Sequence, residues 1–410
     1  MPEQTTEPPQ SRLRVWRNGA TVPAPIEECL QDVVSRTVKS QPDAPAVHAW
    51  DGEFTYAKLD ELASRLAYRI VNRHGGVRSV YVMFDKSAWA SVAVLGAVKA
   101  GKPFIFLDHR VVEQRLQNKM PIAEDALILV SERFKTLATY ISRHEGVILV
   151  DRGIEHDSGP LLPDDAIKRD PSAVAYLAFS SQRTGSRCCP ISHINICSAL
   201  HYQTPYLGFK KDSRVYDLAA YNSDVPPFGV DIAIHNMFAT WSTGGCLCVP
   251  RQDEMHDLAS SMSRMNATLV QLPPKACRAI SPDTVPSLKT LVVVGNLQGS
   301  DDIEHWWQKV QIIRANGPIE CTAYAAINYE HRSLYELHSL GFPKGANIWI
   351  CSPRGLLVPW GHEGEILIEG PIVGRGYLNN PELTRKRFIR NIKWLENGAY
   401  GIEGEEEHDI

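Results

Sequence analysis

Among the side chains able to do chemistry, the thiols come first. The 410-residue chain carries nine cysteines, and Cys188 and Cys189 precede His193 by less than one and a half helical turns. Two thiolates and an imidazole can ligate zinc, but short zinc motifs separate their paired cysteines and supply a second ligand pair, and neither condition is met here. No metal is expected at that place. An odd cysteine count, with Cys197, Cys246, Cys248 and Cys351 inside apolar stretches, points to buried free thiols rather than disulfides. Asp231 stands directly ahead of the apolar run Ile232-Ala233-Ile234-His235-Asn236-Met237-Phe238, where aspartate commonly caps a helix. Glu320, taken alone, has the character of a solvated side chain.

These residues need elements to position them, and the composition sets what those elements build. With 43 basic and 47 acidic side chains the net charge is −4, which gives no electrostatic reason to expect nucleic acid or an anionic membrane. A small molecule or a protein partner is expected instead. A hydrophobic content of 44% beside 22% charged residues suits a globular protein with more than one core. The opening Met-Pro-Glu-Gln-Thr-Thr-Glu-Pro-Pro lacks the basic and apolar regions of a signal peptide, and no apolar run reaches membrane-spanning length. A cytoplasmic location is expected.

Periodicity supplies the fold class. Leu59, Leu62, Leu66 and Ile70 recur at helical spacing, and a second helix is expected from Trp89 to Lys99, ended by Gly101. Short apolar runs at 80–84, 104–107, 127–130 and 147–150 are rich in strand formers and separated by lengths that allow crossovers. Further strands are expected at 245–249, 268–272 and 291–294, with a helix at 232–238. From Gly341 the texture changes to short strands at 348–350, 356–358 and 365–368, divided by Pro353-Arg354-Gly355 and Gly361-His362-Glu363-Gly364. The expected architecture is α/β: two α/β subdomains with largely parallel sheets plus a small antiparallel β unit. Its boundaries are read as a polar linker at 1–25, subdomains at 26–195 and 196–340, the β unit at 341–395 and an acidic tail at 396–410.

Several separated stretches resemble, in the family's order, the motifs of nonribosomal peptide synthetase adenylation domains, especially those of fungal enzymes. They are Phe54-Thr55-Tyr56 with Leu59-Asp60-Glu61-Leu62, Val98-Lys99-Ala100-Gly101 leading to Phe104-Ile105-Phe106-Leu107-Asp108, and Gly244-Gly245-Cys246-Leu247-Cys248-Val249-Pro250. Gly317-Pro318-Ile319-Glu320-Cys321-Thr322 follows, then the long match from Gly364-Glu365-Ile366-Leu367 to Gly374-Arg375-Gly376-Tyr377-Leu378. Trp16-Arg17-Asn18-Gly19 is similar to the linker that precedes such domains. The resemblance implies the N-terminal core of the adenylate-forming fold, with ATP and Mg2+ as cofactors and an amino acid as substrate. An amino-acid carboxylate would attack the α-phosphorus, and the acyl adenylate would pass to a carrier-protein thiol.

The same resemblance assigns site residues. Asp231 would pair with the substrate's α-ammonium group, because a carboxylate beside an apolar pocket selects amino acids over simple acids; the helix-cap reading stays open beside it. Ile232, His235, Gln271, Val292, Val294, Ala315, Ala323 and Tyr324 would line the side-chain pocket, each also compatible with ordinary packing. Ser180, Ser181, Thr184 and Gly185 match the phosphate loop, although Gln182 stands where glycine is expected and Cys188 where lysine is expected. Arg183 and Arg187 could restore charge, but bulky cations in a loop of small residues should instead change its conformation. Asn316 takes the place of a tyrosine against the adenine, and Glu320 matches the glutamate near the magnesium.

After Phe388-Ile389 the family continues to an aspartate for the ribose hydroxyls and to a lid carrying a catalytic lysine. Here the sequence gives Ala399-Tyr400-Gly401-Ile402-Glu403-Gly404-Glu405, with no counterpart to either and no carrier-type phosphopantetheine site. Three readings follow. The chain is a catalytically impaired adenylation core that binds an amino acid or adenylate weakly, with a synthetase or carrier protein as a candidate partner and chemistry that a lid supplied by another chain would restore; or a non-catalytic interaction protein that binds a synthetase; or a truncated remnant. The amino acid and the product are not legible.

Overall fold

A computed structural model describes residues 22–109, 126–142, 146–157, 159–182, 185–221, 229–297, 299–353, 355–359 and 361–392. The expected acidic tail and the Trp16-Arg17-Asn18-Gly19 linker lie outside them. In chain order, β1 (Pro45–Ala49) and β2 (Gly52–Thr55) form a hairpin, followed by helix α1 (Tyr56–His74). Next come β3 (Ser79–Met83), helix α2 (Ala88–Lys99), β4 (Phe104–Phe106), β5 (Ala126–Val130) and β6 (Val147–Leu149). The long hairpin β7 (Val174–Gln182) and β8 (Gly185–Ser192) leads into helix α3 (His193–Gln203) and β9 (Arg214–Tyr216). Helix α4 (Val230–Thr243), β10 (Cys246–Val249), β11 (Leu269–Leu272), β12 (Thr290–Val294) and β13 (Gln311–Asn316) follow. β14 (Ala326–Asn328), β15 (Phe342–Pro343), β16 (Asn347–Cys351) and β17 (Glu365–Glu369) come next, and a short helix at Pro381–Arg387 closes the described chain.

Among the described residues these strands form three sheets: six strands in the order β6-β5-β3-β4-β7-β8, nine in the order β15-β14-β13-β12-β11-β9-β10-β1-β2, and the pair β16-β17. The two large sheets are mostly parallel and the pair is antiparallel, as the sequence implies. The sheets do not follow the chain in order, however. β1 and β2, which the sequence groups with the first subdomain, pair into the nine-stranded sheet, Val47 lying beside Leu247. Leu356–Val358 forms no strand; one bridge joins Leu357 to Cys351. Gly355 has a left-handed φ of 79° and Pro359 follows Val358, so the run is too short between its breakers to extend a ladder.

Side-chain pattern explains how the layers pack. The spaced leucines of α1 are all buried, and the hydroxyl of Thr55 caps that helix by accepting from the Lys58 amide at 3.2 Å. α2 is buried along its whole length, as expected of an apolar helix held between other layers. The two helices approach closely at Gly96, where an added Cβ would lie 2.8 Å from Leu66 Cδ2. All nine cysteines are free and buried. No helix among the described residues is long and apolar enough to cross a membrane.

The large sheets are also tied by charge. Lys86, just beyond β3, places Nζ 2.5 Å from Asp217 Oδ2, just beyond β9, with both side chains buried. Tyr221 donates to the same oxygen at 2.9 Å, its ring lies 3.9 Å below the ammonium and it stacks on Phe106 at 4.7 Å. Replacing Lys86 with Met should leave Asp217 buried without its counter-charge and cost about 3–5 kcal/mol of stability. Denaturant titration measures this, and pairing Lys86→Met with Asp217→Leu should recover most of the loss.

Candidate functional site

α4 begins at Val230, after Gly229, and carries Asp231 in its first turn, only 3% exposed. Burial pushes its carboxyl up to about 6; the amides of Asp231 and Ile232 pull the other way, and the charge of Glu320 adds to the rise. The N-cap of α4 is Gly229, with no side-chain cap bond, so Asp231 does not hold the capping position, and its Oδ1 has no hydrogen-bond partner among the described residues. A buried carboxylate with a spare acceptor and no paired cation is an expensive arrangement in an unliganded protein.

His235 lies one turn further on the same helical face and is fully buried. Burial drives its imidazole down to about 3, so the ring is neutral, and neither ring nitrogen has a hydrogen-bond partner among the described residues. The ring meets Tyr324 edge to face at 5.4 Å and Phe209 at 6.1 Å. The Tyr324 hydroxyl donates to Gln271 Oε1, and Gln271 Nε2 donates to Asn236 Oδ1. Gln203 Nε2 holds the Tyr324 carbonyl at 2.6 Å. The charge of Asp231 adds to the rise that burial imposes on the hydroxyls of Tyr324 and Tyr176, which brings all three into one electrostatic neighbourhood.

Strand register aligns the assigned strand residues. Gln271 pairs with Val292, and Val294 with Ala315, so side chains from β11, β12 and β13 lie in adjacent rows near the ends of parallel strands, where α/β sheets usually bind ligands. Ile232 and Ala323 are buried as well. Thr322 and Ala323 hold left-handed φ values of 50° and 70°; the Thr322 hydroxyl anchors that turn by donating to the Ile372 carbonyl at 2.6 Å. Gly317 is required beneath it, since a Cβ there would meet backbone atoms of residues 323–325 at 2.7 Å. Asn316, half-buried at the end of β13, accepts from the Ala325 amide through its carbonyl at 2.9 Å.

The phosphate-loop stretch is a regular antiparallel hairpin. Gln182 faces Gly185, Ser181 faces Ser186 and Ser180 faces Arg187; Arg183 and Thr184 lie outside the described residues. Cys188 is buried, its thiol pushed up to about 12 by desolvation. It brings no positive charge to the lysine's place. Arg187 turns to the other face and sets Nη1 3.1 Å from Glu320 Oε1 and 3.4 Å from the Tyr377 hydroxyl, which itself donates to Oε1. The Gly374 amide holds the Glu320 carbonyl at 2.7 Å. His193 accepts from the Leu30 amide through Nδ1 at 3.2 Å, and among the described residues no group of three or more His, Cys, Asp or Glu could hold a metal.

Sequence reasoning passed over Asn236, Gln203 and the hydroxyl of Tyr377. Tyr377 sat inside a matched motif. Asn236 follows Asp231 by five positions, about 140° around an ideal helix, and so falls off the face that periodicity marks.

Residues 34–378 match the family model described as AMP-binding enzyme. The chain belongs to that family. Peramine synthetase ppzA of Metarhizium majus is 38% identical over 400 residues, covering 96% of this chain and 14% of that protein. Peramine synthetase A of Epichloe festucae is 37% identical over 407 residues, covering 97% and 14%. Nonribosomal peptide synthetase 30 of Fusarium vanettenii is 37% identical, covering 95% and 7%. The chain thus spans a small part of the curated relatives it matches. Among solved structures, the nonribosomal peptide synthetase FmoA3 (S1046A) with AMPPNP superposes with a TM-score of 0.77 at 19% identity, covering 95% of this chain and 42% of that one. The anthranilate CoA ligase AuaEII with anthranoyl-AMP gives 0.74 at 17%, covering 90% and 73%. At those identities the likeness shows the adenylate-forming fold.

The family uses ATP and typically Mg2+. In this chain the carboxylate that would face the metal is already committed on one oxygen, since Glu320 Oε1 receives a guanidinium and a phenol. A Mg2+ on the other oxygen would lie beside that guanidinium, so the pair fits a second cation poorly.

The raised Asp231 pKa fixes a sign. The folded state holds its proton more tightly than the unfolded state, so ionisation opposes folding as pH rises from 3.8 to about 6. A shift of that size corresponds to about 3 kcal/mol as an upper bound. Asp231→Asn should therefore be more stable than wild type at pH 7 by about 1–3 kcal/mol, with the difference vanishing near pH 4; chemical denaturation at both pH values checks this.

Proposed function

We propose that the chain is an amino-acid-recognising adenylation core, derived from amino-acid activation with ATP in secondary-metabolite biosynthesis, whose adenylation chemistry is impaired. The observation that carries recognition is the buried Asp231 carboxylate, with an unpartnered oxygen and no paired cation among the described residues. An α-ammonium group supplies the missing charge and hydrogen-bond donors. His235, Gln271 and Tyr324 then give the neighbouring wall polar groups, and Val292, Val294 and Ala315 apolar surface.

Impairment is supported within the described core. The Cys188 thiol stays neutral where the resemblance calls for a lysine, and loss of one charge-stabilising group commonly costs two or more powers of ten in rate. Asn316 offers no aromatic face to an adenine, which forfeits roughly a kcal/mol of stacking. The acyl acceptor in this reading is a carrier-protein thiol or a synthetase partner in trans.

The test is amino-acid-dependent ATP–pyrophosphate exchange across the common amino acids, alongside thermal shift with the same set. Stabilisation by at least one amino acid, lost in Asp231→Asn and weakening as pH falls through about 6, is expected together with little or no exchange. Cys188→Lys should not restore exchange, because groups serving one transition state act as a unit. Exchange at roughly one per second or faster would refute the impairment, and the absence of any amino-acid stabilisation would refute the recognition.

A further inference from the structure

The β7–β8 hairpin sorts its two consecutive residues to opposite faces. Cys188 is turned into the core, and Arg187 is turned onto Glu320. The guanidinium and the Tyr377 hydroxyl converge on one carboxylate oxygen, while the backbone of Glu320 is held by Gly374. Arg187 is 22% exposed and Glu320 13% in their side chains, so the pair sits in a recess open on one side. The interaction raises the arginine's pKa, through Tyr377 and Glu320, against the opposing effect of burial. The cation is permanent.

A divalent ion on Glu320 would have to take the other carboxylate oxygen, Oε2, and sit beside this guanidinium, like charge against like charge. Arg187, for its part, is only half used. Both of its hydrogen bonds among the described residues come from Nη1, whereas a guanidinium has five N–H donors in a fixed fork that matches two phosphate oxygens at once. It also lies opposite Ser180 in the hairpin register, at the base of the stretch that resembles the phosphate loop.

We propose that Arg187 takes over, by charge, the position that Mg2+ holds in the family: the polyphosphate of a nucleotide is bound here by the Arg187 guanidinium, with Glu320 acting as the arginine's anchor and not as a metal ligand. This rests on the reading of the chain as an adenylation core, and it concerns the nucleotide half of the site alone.

The test uses the full chain and two probes that do not require turnover: ATP binding by calorimetry in EDTA, and Mn2+ binding by electron paramagnetic resonance. Wild type should bind ATP in EDTA and show no stoichiometric Mn2+ site dependent on Glu320. Arg187→Ala should weaken ATP in EDTA by tenfold or more and open one Mn2+ site, which disappears in Arg187→Ala combined with Glu320→Gln. Glu320→Gln alone should leave ATP binding in EDTA unchanged or tighten it severalfold, the opposite of what a metal ligand would do. Arg187→Gln serves the same comparison if the alanine variant does not fold. The proposal is overturned if wild-type ATP binding requires Mn2+, if Glu320→Gln removes an Mn2+ site from wild type, if ATP binding in EDTA survives loss of Arg187, or if wild type binds no ATP at all. Thermal shift with amino acids, run in parallel, separates that last outcome from failure of the amino-acid reading.

Discussion

The architecture depends on how two large parallel sheets are joined, and the Lys86–Asp217 ion pair sits at that junction. Neither partner can be solvated, and each is tolerable inside only because the other is 2.5 Å away. Tyr221 reinforces the arrangement from both sides, with its hydroxyl on Asp217 and its ring against the ammonium and Phe106. Because Lys86 and Asp217 follow β3 and β9 directly, the pair fixes the strand ends, and therefore the loops leaving them, relative to one another. The assigned residues on β11, β12 and β13 belong to the same nine-stranded sheet.

Among the described residues, unpartnered buried polar atoms are concentrated on α4. Isolated cases occur elsewhere, as at Asp217 Oδ1 and Gln203 Oε1. On α4 four such atoms fall within six residues: Oδ1 of Asp231, both nitrogens of His235 and Nδ2 of Asn236. Local inconsistency of this kind is usually concentrated where a protein receives something. The chain meets its cost with a rigid surround in which Gly317, the left-handed turn at Thr322 and Ala323, and the Gln271 bridge between Tyr324 and Asn236 leave few alternative packings.

Much of this was legible in the sequence, and what was not has physical reasons. α1 showed in the spacing of its leucines, and the central strands in short apolar runs, because both signals are local. Placement of β1 and β2 in the nine-stranded sheet was not legible, since it depends on pairing with β10 almost two hundred residues away. His235, Gln271 and Tyr324 were assigned together through motif likeness, and the structure joins them through ring contact and hydrogen bonds. The partnership of Arg187 with Glu320 was out of reach. It follows from hairpin register, which decides which of two consecutive residues goes inward.

The cysteines carry a practical consequence. All nine are shielded from solvent, and in eight of them the thiol is also held in its protonated form by pKa values raised through burial or, in Cys248, first through the bond to Cys246. Only the thiolate is a competent nucleophile, so alkylating and oxidising reagents meet a surface with little to attack while the chain is folded. Opening any layer releases thiols from a different part of the molecule: Cys29 at the start of the helix Leu30–Ser40, Cys246 and Cys248 on β10, Cys351 on β16. The folded chain thus contains its own set of position-specific footprinting tags, distributed by the same packing that keeps them silent.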